Sequence, residues 1–330
     1  MPGNMPKQLK GVFLDSSTLD IDDVNFTALK SVLPGCKFYK ETLPTQVGER
    51  IVDADVVISN KVVLDENIIT QASNLKLICV AATGVNNVDL IAAQNQNIAV
   101  CNVTAYATSS VSQHVFSLIL SLSRRLNEYQ KSIRSGDWQR CGQFCLLQHS
   151  IEDLTGKTIG IVGYGELGMA VAKIAQAFGM KVLIAERIGT GRADSEDDIV
   201  RIPLNELLPK VDVLSLHCPL NEQTQGLIGE AEIACMKPSA FLINTARGGI
   251  VDEQALINAL LKNTIAGAGI DVLVEEPPVN GNPLLEVDFP NLMVTPHIAW
   301  SSKQARQRLV DEVAENINAW KKGIKCNIVG

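Results

Sequence analysis

Three ionisable side chains stand at the ends of apolar segments late in the chain. Arg247 follows "AFLINTA", Glu276 stands in "DVLVEEPPV", and His297 stands in "LMVTPHIAW". A guanidinium can bind a carboxylate through two parallel hydrogen bonds, and an imidazole can exchange a proton with a carbonyl or hydroxyl oxygen. A carboxylate beside that imidazole stabilises its protonated form. These residue types together favour proton transfer on a substrate that carries a carboxylate.

Each of these residues also has an ordinary structural role. An arginine after a strand can cap a carbonyl group, a glutamate before proline is commonly solvated, and a single histidine is more often structural than catalytic. The combination favours function, because ligands of open parallel sheets bind at the carboxyl ends of the strands. We also expect the guanidinium of Arg247 to require an anion, since burying an unpaired charge is costly.

Arg247, Glu276 and His297 follow strands of a predicted parallel sheet. Six apolar segments rich in β-branched residues begin after residue 154, and these segments are "KTIGIVG", "KVLIAE", "VDVLSLHC", "AFLINTA", "IAGAGIDV" and "NLMVTPH". Their number and spacing are typical of a doubly wound, nucleotide-binding sheet.

A second α/β region precedes it. Five strand-like segments, "KGVFLD", "CKFYKE", "ADVVISN", "LKLICVAATG" and "IAVCNV", alternate with amphipathic stretches such as "DENIITQAS" and "VDLIAAQNQ". This alternation predicts another parallel sheet with helices on both faces.

Two longer helical patterns complete the prediction. Residues 109–136 predict one long helix, with Ser109 or Ser110 as the N-cap and Gly136 as the stop. It is too long for a simple crossover, so we expect it to pack between domains or subunits. The segment "SSKQARQRLVDEVAENINAWKKG" predicts a last helix that returns to the first region.

A glycine-rich turn predicts the coenzyme. Gly163, Gly165 and Gly168 have the spacing G-x-G-x-x-G, directly after one predicted strand and at the start of a helix. In that context the turn brings a pyrophosphate to the N-terminus of the helix. Glu186 ends the next strand, where a carboxylate accepts hydrogen bonds from the adenosine ribose.

The coenzyme predicted from Glu186 is NAD(H). A carboxylate at that position repels the 2′-phosphate of NADP(H). Arg187 and Arg192 lie close by in the sequence and are the competing consideration, because either could bind that phosphate.

The composition excludes several classes of protein. The net charge is −7, and no cluster of five or more lysines and arginines occurs in the 330 residues. This charge distribution disfavours nucleic acid and anionic membrane surfaces as partners. No apolar stretch approaches the roughly 18 residues of a membrane span, and no signal peptide is evident, so we expect a cytoplasmic protein.

The eight cysteines are scattered, which favours reduced thiols over a disulfide framework. Cys141, Cys145 and His149 have the spacing of one helix face, but they lack a fourth ligand. We predict no metal site.

The chain resembles the D-isomer-specific 2-hydroxyacid dehydrogenases. The resemblance rests on "GIVGYGELG", "LHCPLNEQT", "INTARGGIVDEQAL", "AGIDVLVEEPP", "NPLL" and "NLMVTPHIAW", which occur in the order and spacing of that family. It is highly specific over residues 154–300 and looser before residue 75. "FCLLQHSIEDLTGKTIGIVGYG" and "PHIAW" are most similar to the glycerate dehydrogenase (hydroxypyruvate reductase) branch.

The resemblance implies an α/β protein of two doubly wound parallel-sheet domains separated by a cleft. A discontinuous, flavodoxin-like substrate domain would comprise residues 1–104 and 298–330. A Rossmann coenzyme domain would comprise residues 105–297, with a dimerisation arm at about 122–150. The implied assembly is a homodimer.

The resemblance also implies roles for individual residues. Arg247 would bind the substrate, Glu276 and His297 would be the acid–base pair, and Asp271 would meet the nicotinamide carboxamide. The backbone N–H groups of Gly84 and Val85 would bind the substrate carboxylate. The remaining residues implied for the coenzyme site are Gly163, Gly165, Glu166, Leu167, Gly168, Glu186, Cys218, Pro219, Thr245, Ala246, His297 and Trp300.

Two departures from the family pattern concern the coenzyme. Glu166 stands where many relatives have a basic residue, and Glu186 stands where aspartate is commoner. The first puts the strength of pyrophosphate binding in doubt, and the second is expected to preserve the use of NAD(H).

The implied reaction is the NADH-dependent reduction of hydroxypyruvate or glyoxylate to D-glycerate or glycolate. One alternative is a 3-phosphoglycerate dehydrogenase without a regulatory domain. Another is a dinucleotide-sensing, corepressor-like binding protein, which the three ionisable residues alone do not exclude.

Overall fold

A computed structural model describes residues 8–188 and 199–329 of the protein. The chain divides into two compact units. The first unit comprises Met1–Ala107 and Ser301–Gly330, and the second comprises Thr108–Trp300. Each unit has its own parallel sheet.

The strands agree with the eleven segments predicted from the sequence. They are β1 (Gly11–Phe13), β2 (Lys37–Phe38), β3 (Val56–Ser59), β4 (Leu77–Val80), β5 (Ala99–Cys101), β6 (Thr158–Val162), β7 (Lys181–Ile184), β8 (Val213–Leu216), β9 (Phe241–Asn244), β10 (Gly267–Ile270) and β11 (Leu292–Val294).

The helices of the described residues lie between these strands and after the last of them. They are α1 (Thr27–Val32), α2 (Val47–Ile51), α3 (Glu66–Gln71), α4 (Leu90–Asn95), α5 (Thr108–Ser123), α6 (Leu126–Arg134), α7 (Asp137–Arg140), α8 (Glu166–Ala177), α9 (Leu204–Leu207), α10 (Glu230–Ala234), α11 (Glu253–Leu261) and α12 (Lys303–Lys321). None of the helices in this part of the chain is long and apolar enough to cross a membrane.

The first unit contains a five-stranded sheet in the order β2-β1-β3-β4-β5. Every residue of β3 and β4 is buried, which explains why these strands are apolar without alternation. The C-terminal segment covers the edge of β5, where the N–H of Val329 donates to the carbonyl of Val100 at 2.8 Å.

Helix α12 completes this first unit, as the periodicity of its sequence predicted. Arg306 is 7% exposed and donates to both carboxylate oxygens of Asp23, at 2.6 and 2.8 Å. Its guanidinium also donates to the carbonyl of Leu19 at 2.8 Å. Hydrogen bonding from Arg306 lowers the pKa of Asp23. A residue late in the sequence therefore fixes a loop that follows β1.

The second unit contains a six-stranded sheet in the order β11-β10-β9-β8-β6-β7. The chain moves from β6 to β7 on one side and then returns to β8 on the other. The strand order therefore reverses at β6, and the carboxyl end of this strand is where open α/β sheets bind their ligands.

The prediction of one long helix over residues 109–136 is wrong. Helix α5 ends at Ser123, and Arg125 adopts a left-handed conformation with φ +52° before α6 begins. The apolar side chains of α5 and α6 keep one helical spacing across the break, so the sequence pattern does not reveal the break. Gly136, with φ +76°, does follow the end of α6.

Helix α5 packs on β10 of its own unit. A β-carbon on Gly269 would lie 2.9 Å from Cβ of Leu118, and one on Gly267 would lie 3.2 Å from Cδ2 of Leu122. Both distances are shorter than an ordinary contact between carbon atoms. The two glycines of β10 therefore allow a close approach of the helix.

Candidate active site

The register of the second sheet brings the predicted site residues to one edge. Val162, Leu216, Asn244, Ile270 and Val294 are aligned across neighbouring strands, and Ile184 is paired one position earlier with Ile161. The first residues beyond this alignment form a set that we call the edge row: Glu186, Gly163, His217, Thr245, Asp271 and Thr295.

Glu276 and His297 form a hydrogen-bonded pair. Nδ1 of His297 lies 2.6 Å from Oε2 of Glu276, and both side chains are about one-third exposed (31% and 32%). The other carboxylate oxygen of Glu276 accepts from the N–H of Leu273 at 2.8 Å. Because Nδ1 faces the carboxylate, Nε2 is the nitrogen of His297 that is left for a substrate.

The backbone of His297 has an uncommon conformation. Its φ is +53°, in the left-handed region that residues other than glycine seldom occupy. Its N–H donates to the carbonyl of Asp271 at 2.8 Å. The carboxylate of Asp271 accepts from the N–H groups of Ile298 at 3.0 Å and Ala299 at 2.9 Å. Asp271 thus holds the backbone on both sides of the imidazole.

The side chain of Asp271 has no solvent exposure, and the hydroxyl of Thr295 also donates to it at 2.5 Å. This environment gives Asp271 a positioning role within its own unit. Contact between Asp271 and the nicotinamide carboxamide stays a prediction.

The loops after β9 and β10 touch each other. A β-carbon on Gly248 would lie 1.8 Å from the carbonyl oxygen of Leu273, so the position admits no side chain. Glu253 accepts from the N–H of Val274 at 3.0 Å and from the side chain of Asn282 at 2.8 Å. The loop with the substrate-binding candidate and the loop with Glu276 are therefore packed as one piece.

Arg247 lies in the first of these loops, and its side chain is exposed. The expectation that its guanidinium binds an anion stays a prediction, which concerns a substrate carboxylate. Its Nη1 donates to the carbonyl of Ala246 at 2.7 Å, and Asn244 donates to the carbonyl of Arg247 at 2.9 Å. The backbone of the loop is fixed while the guanidinium keeps further donors.

The glycine-rich turn joins β6 to α8 as predicted. Gly163 has φ +93°, and a β-carbon there would lie 2.5 Å from the backbone nitrogen of Cys218. One on Gly168 would lie 2.2 Å from the carbonyl oxygen of Gly163, whereas one on Gly165 would meet nothing within 4 Å. The turn is thus compact on the protein side and open at Gly165.

Two buried polar atoms of the edge row have no hydrogen-bond partner among the described residues. They are Oγ1 of Thr245 and Nδ1 of His217. Such atoms are rare in folded proteins, and a ligand is one way to satisfy them. His217 lies beside Gly163 and Thr245 follows the next strand along the sheet, and this placement fits a bound dinucleotide. Contact of Thr245 and Ala246 with its nicotinamide stays a prediction.

The chain has four histidines, and His217 is the one within the edge row. Burial lowers the pKa of His217 to about 4, so its imidazole is neutral near pH 7. Its Nε2 lies 2.8 Å from Oγ of Ser215. His217 can orient a ligand there but is not a proton donor near neutral pH.

Glu166 is the first residue of α8, where the pyrophosphate of a dinucleotide would bind. Its carboxylate accepts a hydrogen bond from the hydroxyl of Thr108 and is thereby drawn to the start of α5. Leu167 beside it is half-buried. The negative charge nevertheless stays within the first turn of the helix.

Glu186 is half-buried and stands two residues after β7, where its N–H donates to the carbonyl of Ile202 at 2.9 Å. Arg187 is exposed, and Arg192 lies outside the described residues.

Three further residues were predicted for the coenzyme site. Cys218 is 7% exposed, and burial raises the pKa of its thiol. Pro219 is exposed and Trp300 is half-buried.

The two remaining candidates, Gly84 and Val85, belong to the first unit, in the loop after β4. The loop is fixed at Thr83, whose hydroxyl donates to the carbonyl of Val103 at 2.9 Å and whose carbonyl accepts from the side chain of Asn102 at 2.7 Å. Both glycine and valine are half-buried. Their proposed contact with a substrate carboxylate stays a prediction.

The sequence did not indicate Glu253, His114 or Thr295 as site residues. Glu253 joins the loops after β9 and β10, and His114 of α5 lies 3.0 Å from Oγ1 of Thr295. The sequence does hold a signal for the contact of His114 with Thr295. Gly267 and Gly269 lie on one face of β10, which favours close packing of a helix there, and His114 lies one turn before Leu118 on that helix.

Residues 116–299 match the family described as "D-isomer specific 2-hydroxyacid dehydrogenase, NAD binding domain". A glycerate dehydrogenase of Methylorubrum extorquens is 43% identical over 97% of this chain and 98% of its own. A hydroxypyruvate reductase of Blautia hydrogenotrophica is 36% identical over 97% of this chain and 99% of its own.

A solved structure shows the same architecture. D-lactate dehydrogenase of Aquifex aeolicus, complexed with NAD and lactic acid, superposes with a TM-score of 0.80 at 30% sequence identity. The superposition covers 97% of this chain and 99% of that chain.

Replacing Glu166 by glutamine is expected to strengthen NADH binding. The change removes a negative charge from the helix end where the pyrophosphate would bind, and we expect the dissociation constant to fall roughly 3- to 10-fold at low salt. Titration of NADH fluorescence at two salt concentrations measures this effect, which should shrink as the salt increases.

Glu230→Gln is the matched control, because Glu230 is an exposed acid in the first turn of α10 in the same unit. It should leave NADH binding unchanged. Equal effects of the two substitutions would assign the gain to net charge and would contradict a local role of Glu166.

Proposed function

Because the chain belongs to the D-isomer-specific 2-hydroxyacid dehydrogenases, as its motifs indicated, we propose that it reduces hydroxypyruvate to D-glycerate and glyoxylate to glycolate. The enzyme is an NAD-dependent oxidoreductase acting on the CH–OH group. The names of the relatives favour these substrates over the phosphorylated alternative. The observation that carries the proposal is the Glu276–His297 pair at the edge with the glycine-rich turn.

The coenzyme NAD(H), when bound, supplies the hydride that is transferred to C2 of the keto acid. Gly163, Gly165 and Gly168 would hold its pyrophosphate, and Glu186 would accept hydrogen bonds from the adenosine ribose. Thr245 would turn its unpaired hydroxyl toward the nicotinamide end.

His297 donates the proton in this mechanism. Its Nδ1 is engaged by Glu276, so the proton on Nε2 passes to the oxygen on C2 as that oxygen gains charge. Glu276 stabilises the imidazolium before the transfer. Since His217 is neutral near pH 7, it does not compete as the donor.

Arg247 binds the substrate in the same scheme. A guanidinium can contact the α-carboxylate and the adjacent carbonyl oxygen together, and its charge stabilises the alkoxide-like oxygen of the transition state. Gly84 and Val85 of the first unit are the proposed backbone donors to the carboxylate. The first unit is accordingly proposed as the substrate domain and the second as the coenzyme domain.

The proposed assembly is a homodimer in the cytoplasm. The arm at residues 122–150 and its flank expose large apolar side chains, which a monomer rarely leaves in water; these are Leu126, Ile133, Trp138, Phe144, Leu147 and Ile151. All eight cysteines lie in the described part and form no disulfide there, which supports a reducing compartment. Sedimentation velocity should show a dimer at micromolar concentration, and a monomer would contradict the assignment of the arm.

Arg247→Ala is expected to remove most turnover while NADH binding is kept. We expect kcat/KM for hydroxypyruvate to fall on the order of 10²-fold or more, because one donor to the developing charge is lost. The assay follows NADH absorbance with hydroxypyruvate, glyoxylate, pyruvate and 3-phosphohydroxypyruvate as substrates of the parent and the variant. Arg247→Lys keeps the charge without the two-pronged contact and should fall between them.

A parent that prefers 3-phosphohydroxypyruvate would contradict the proposed substrate. A parent that binds NADH and reduces none of the four acids would favour the dinucleotide-sensing alternative. Near-normal kcat/KM in Arg247→Ala would remove this residue from the site.

Glu186→Ser is expected to shift coenzyme use toward NADPH. The parent should prefer NADH, because a carboxylate meeting a 2′-phosphate costs on the order of 10²-fold in kcat/KM. The substitution removes the repulsion but also removes acceptors for the ribose hydroxyls, so NADH use should fall as NADPH use rises. The measurement is kcat/KM for each coenzyme at saturating hydroxypyruvate.

Arg187 is the competing influence on this preference. The double variant with Arg187→Ala should lose part of the NADPH activity that Glu186→Ser gains. A parent that already prefers NADPH would show that nearby arginines outweigh Glu186.

A further inference from the structure

The packing of α5 on β10 continues beyond its two apolar contacts. Leu122 lies over Gly267 and Leu118 lies over Gly269. Four residues of helix advance about 6 Å and two residues of strand advance about 6.6 Å, so the two elements stay in step. The next position on the helix is His114, and the next on the strand is Asp271. Nε2 of His114 indeed lies 3.5 Å from Oδ1 of Asp271.

The hydrogen bonds of Thr295 determine which ring nitrogen of His114 carries a hydrogen. The hydroxyl of Thr295 donates to the carboxylate of Asp271 at 2.5 Å, and a carboxylate has no proton to return. Oγ1 of Thr295 must therefore accept from Nε2 of His114, which lies 3.0 Å away. This assignment places a hydrogen on Nε2 of His114.

The carboxylate at the end of this chain of bonds holds the catalytic loop. Asp271 binds the N–H groups of Ile298 and Ala299, directly after His297. The left-handed backbone of His297 is unfavourable by itself and persists only where its surroundings enforce it. A rotation of the Asp271 side chain would release both amides.

A second contact from the same helix supports this arrangement. Ser110 lies one turn before His114, and its hydroxyl donates to the carbonyl of Ala299 at 2.7 Å. Helix α5 therefore contacts both the carboxylate that binds the loop and the loop itself. Among the described residues, His114 is the one basic side chain within salt-bridge distance of Asp271.

We propose that His114 is a positioning residue for catalysis, which acts through Thr295 and Asp271 to fix the backbone of His297. Its contacts are with Thr295 and Asp271, and its side chain is 18% exposed. The proposal rests on the proposed function in one respect, namely that His297 is the proton donor.

His114→Leu and His114→Gln separate this role from simple packing. Leucine fills a similar volume without a donor, whereas the amide nitrogen of glutamine can occupy the place of Nε2. We expect kcat for hydroxypyruvate to fall on the order of 10- to 100-fold in the leucine variant, because small misplacements of a reacting group are costly. NADH should still bind, and its dissociation constant should change by a smaller factor than kcat. Glutamine should restore most of kcat.

Gln113→Leu is the matched control. Gln113 precedes His114 on α5, is exposed, and bonds through its side chain to Oγ of Ser109 at 2.9 Å. It should leave kcat and KM unchanged. Equal loss of kcat in Gln113→Leu and His114→Leu, or no rescue by glutamine, would overturn the proposal.

Nuclear magnetic resonance of protein with ¹⁵N-labelled histidine tests the same idea without turnover. The signals of His114 and His297 are identified by their loss in His114→Gln and His297→Gln. We expect a hydrogen on Nε2 of His114 in the parent. The signals of His297 should move in His114→Leu and keep their positions in His114→Gln.

These outcomes distinguish two failures. A parent that reduces no 2-keto acid, with His297 signals that still respond to His114→Leu, would refute the proposed function and leave the coupling in place. An unprotonated Nε2 in His114, or His297 signals that do not respond to His114→Leu, would overturn the positioning role whatever the activity.

Discussion

The register of the second sheet is the constraint on which the site depends. Parallel strands that end at the same level deliver their next residues to one edge, and here those residues form the edge row from Glu186 to Thr295. A shift of one residue in any strand would turn the corresponding side chain to the other face of the sheet. The coenzyme turn, the unpaired hydroxyl of Thr245 and the carboxylate of Asp271 thus share one structural cause.

Most of the fold could be predicted from the sequence because strands and long amphipathic helices are encoded locally. The eleven strands and α12 follow from runs of apolar residues and helical spacing. The break at Arg125 could not be predicted, since the left-handed residue that interrupts the helix has an ordinary side chain and the apolar helical spacing continues past it. The short α2 was missed because five residues are too few to show a period.

Only part of the site could be predicted, because several of its contacts join residues that lie far apart in the sequence. Glu276 and His297 were recognisable by type and position, and the structure brings them together. Glu253 and His114 act through backbone groups or other side chains that only the packed structure brings near. Arg247 was recognisable by its place after an apolar strand, and the turn after Asn244 brings its side chain to the surface. Local patterns identify residues that react more readily than residues that hold them.

The discontinuous first unit also has a consequence for synthesis on the ribosome. Residues from Ser301 onward belong to the unit that begins the chain, and Arg306 binds the loop at Asp23. The second unit is contiguous and can fold as soon as it emerges, whereas the first waits for α12 and the segment that covers β5. Until residues 301–329 have emerged, the edge of β5 is open to pairing with other strands. Nascent chains of this protein should therefore depend on chaperones more at their beginning than in their middle.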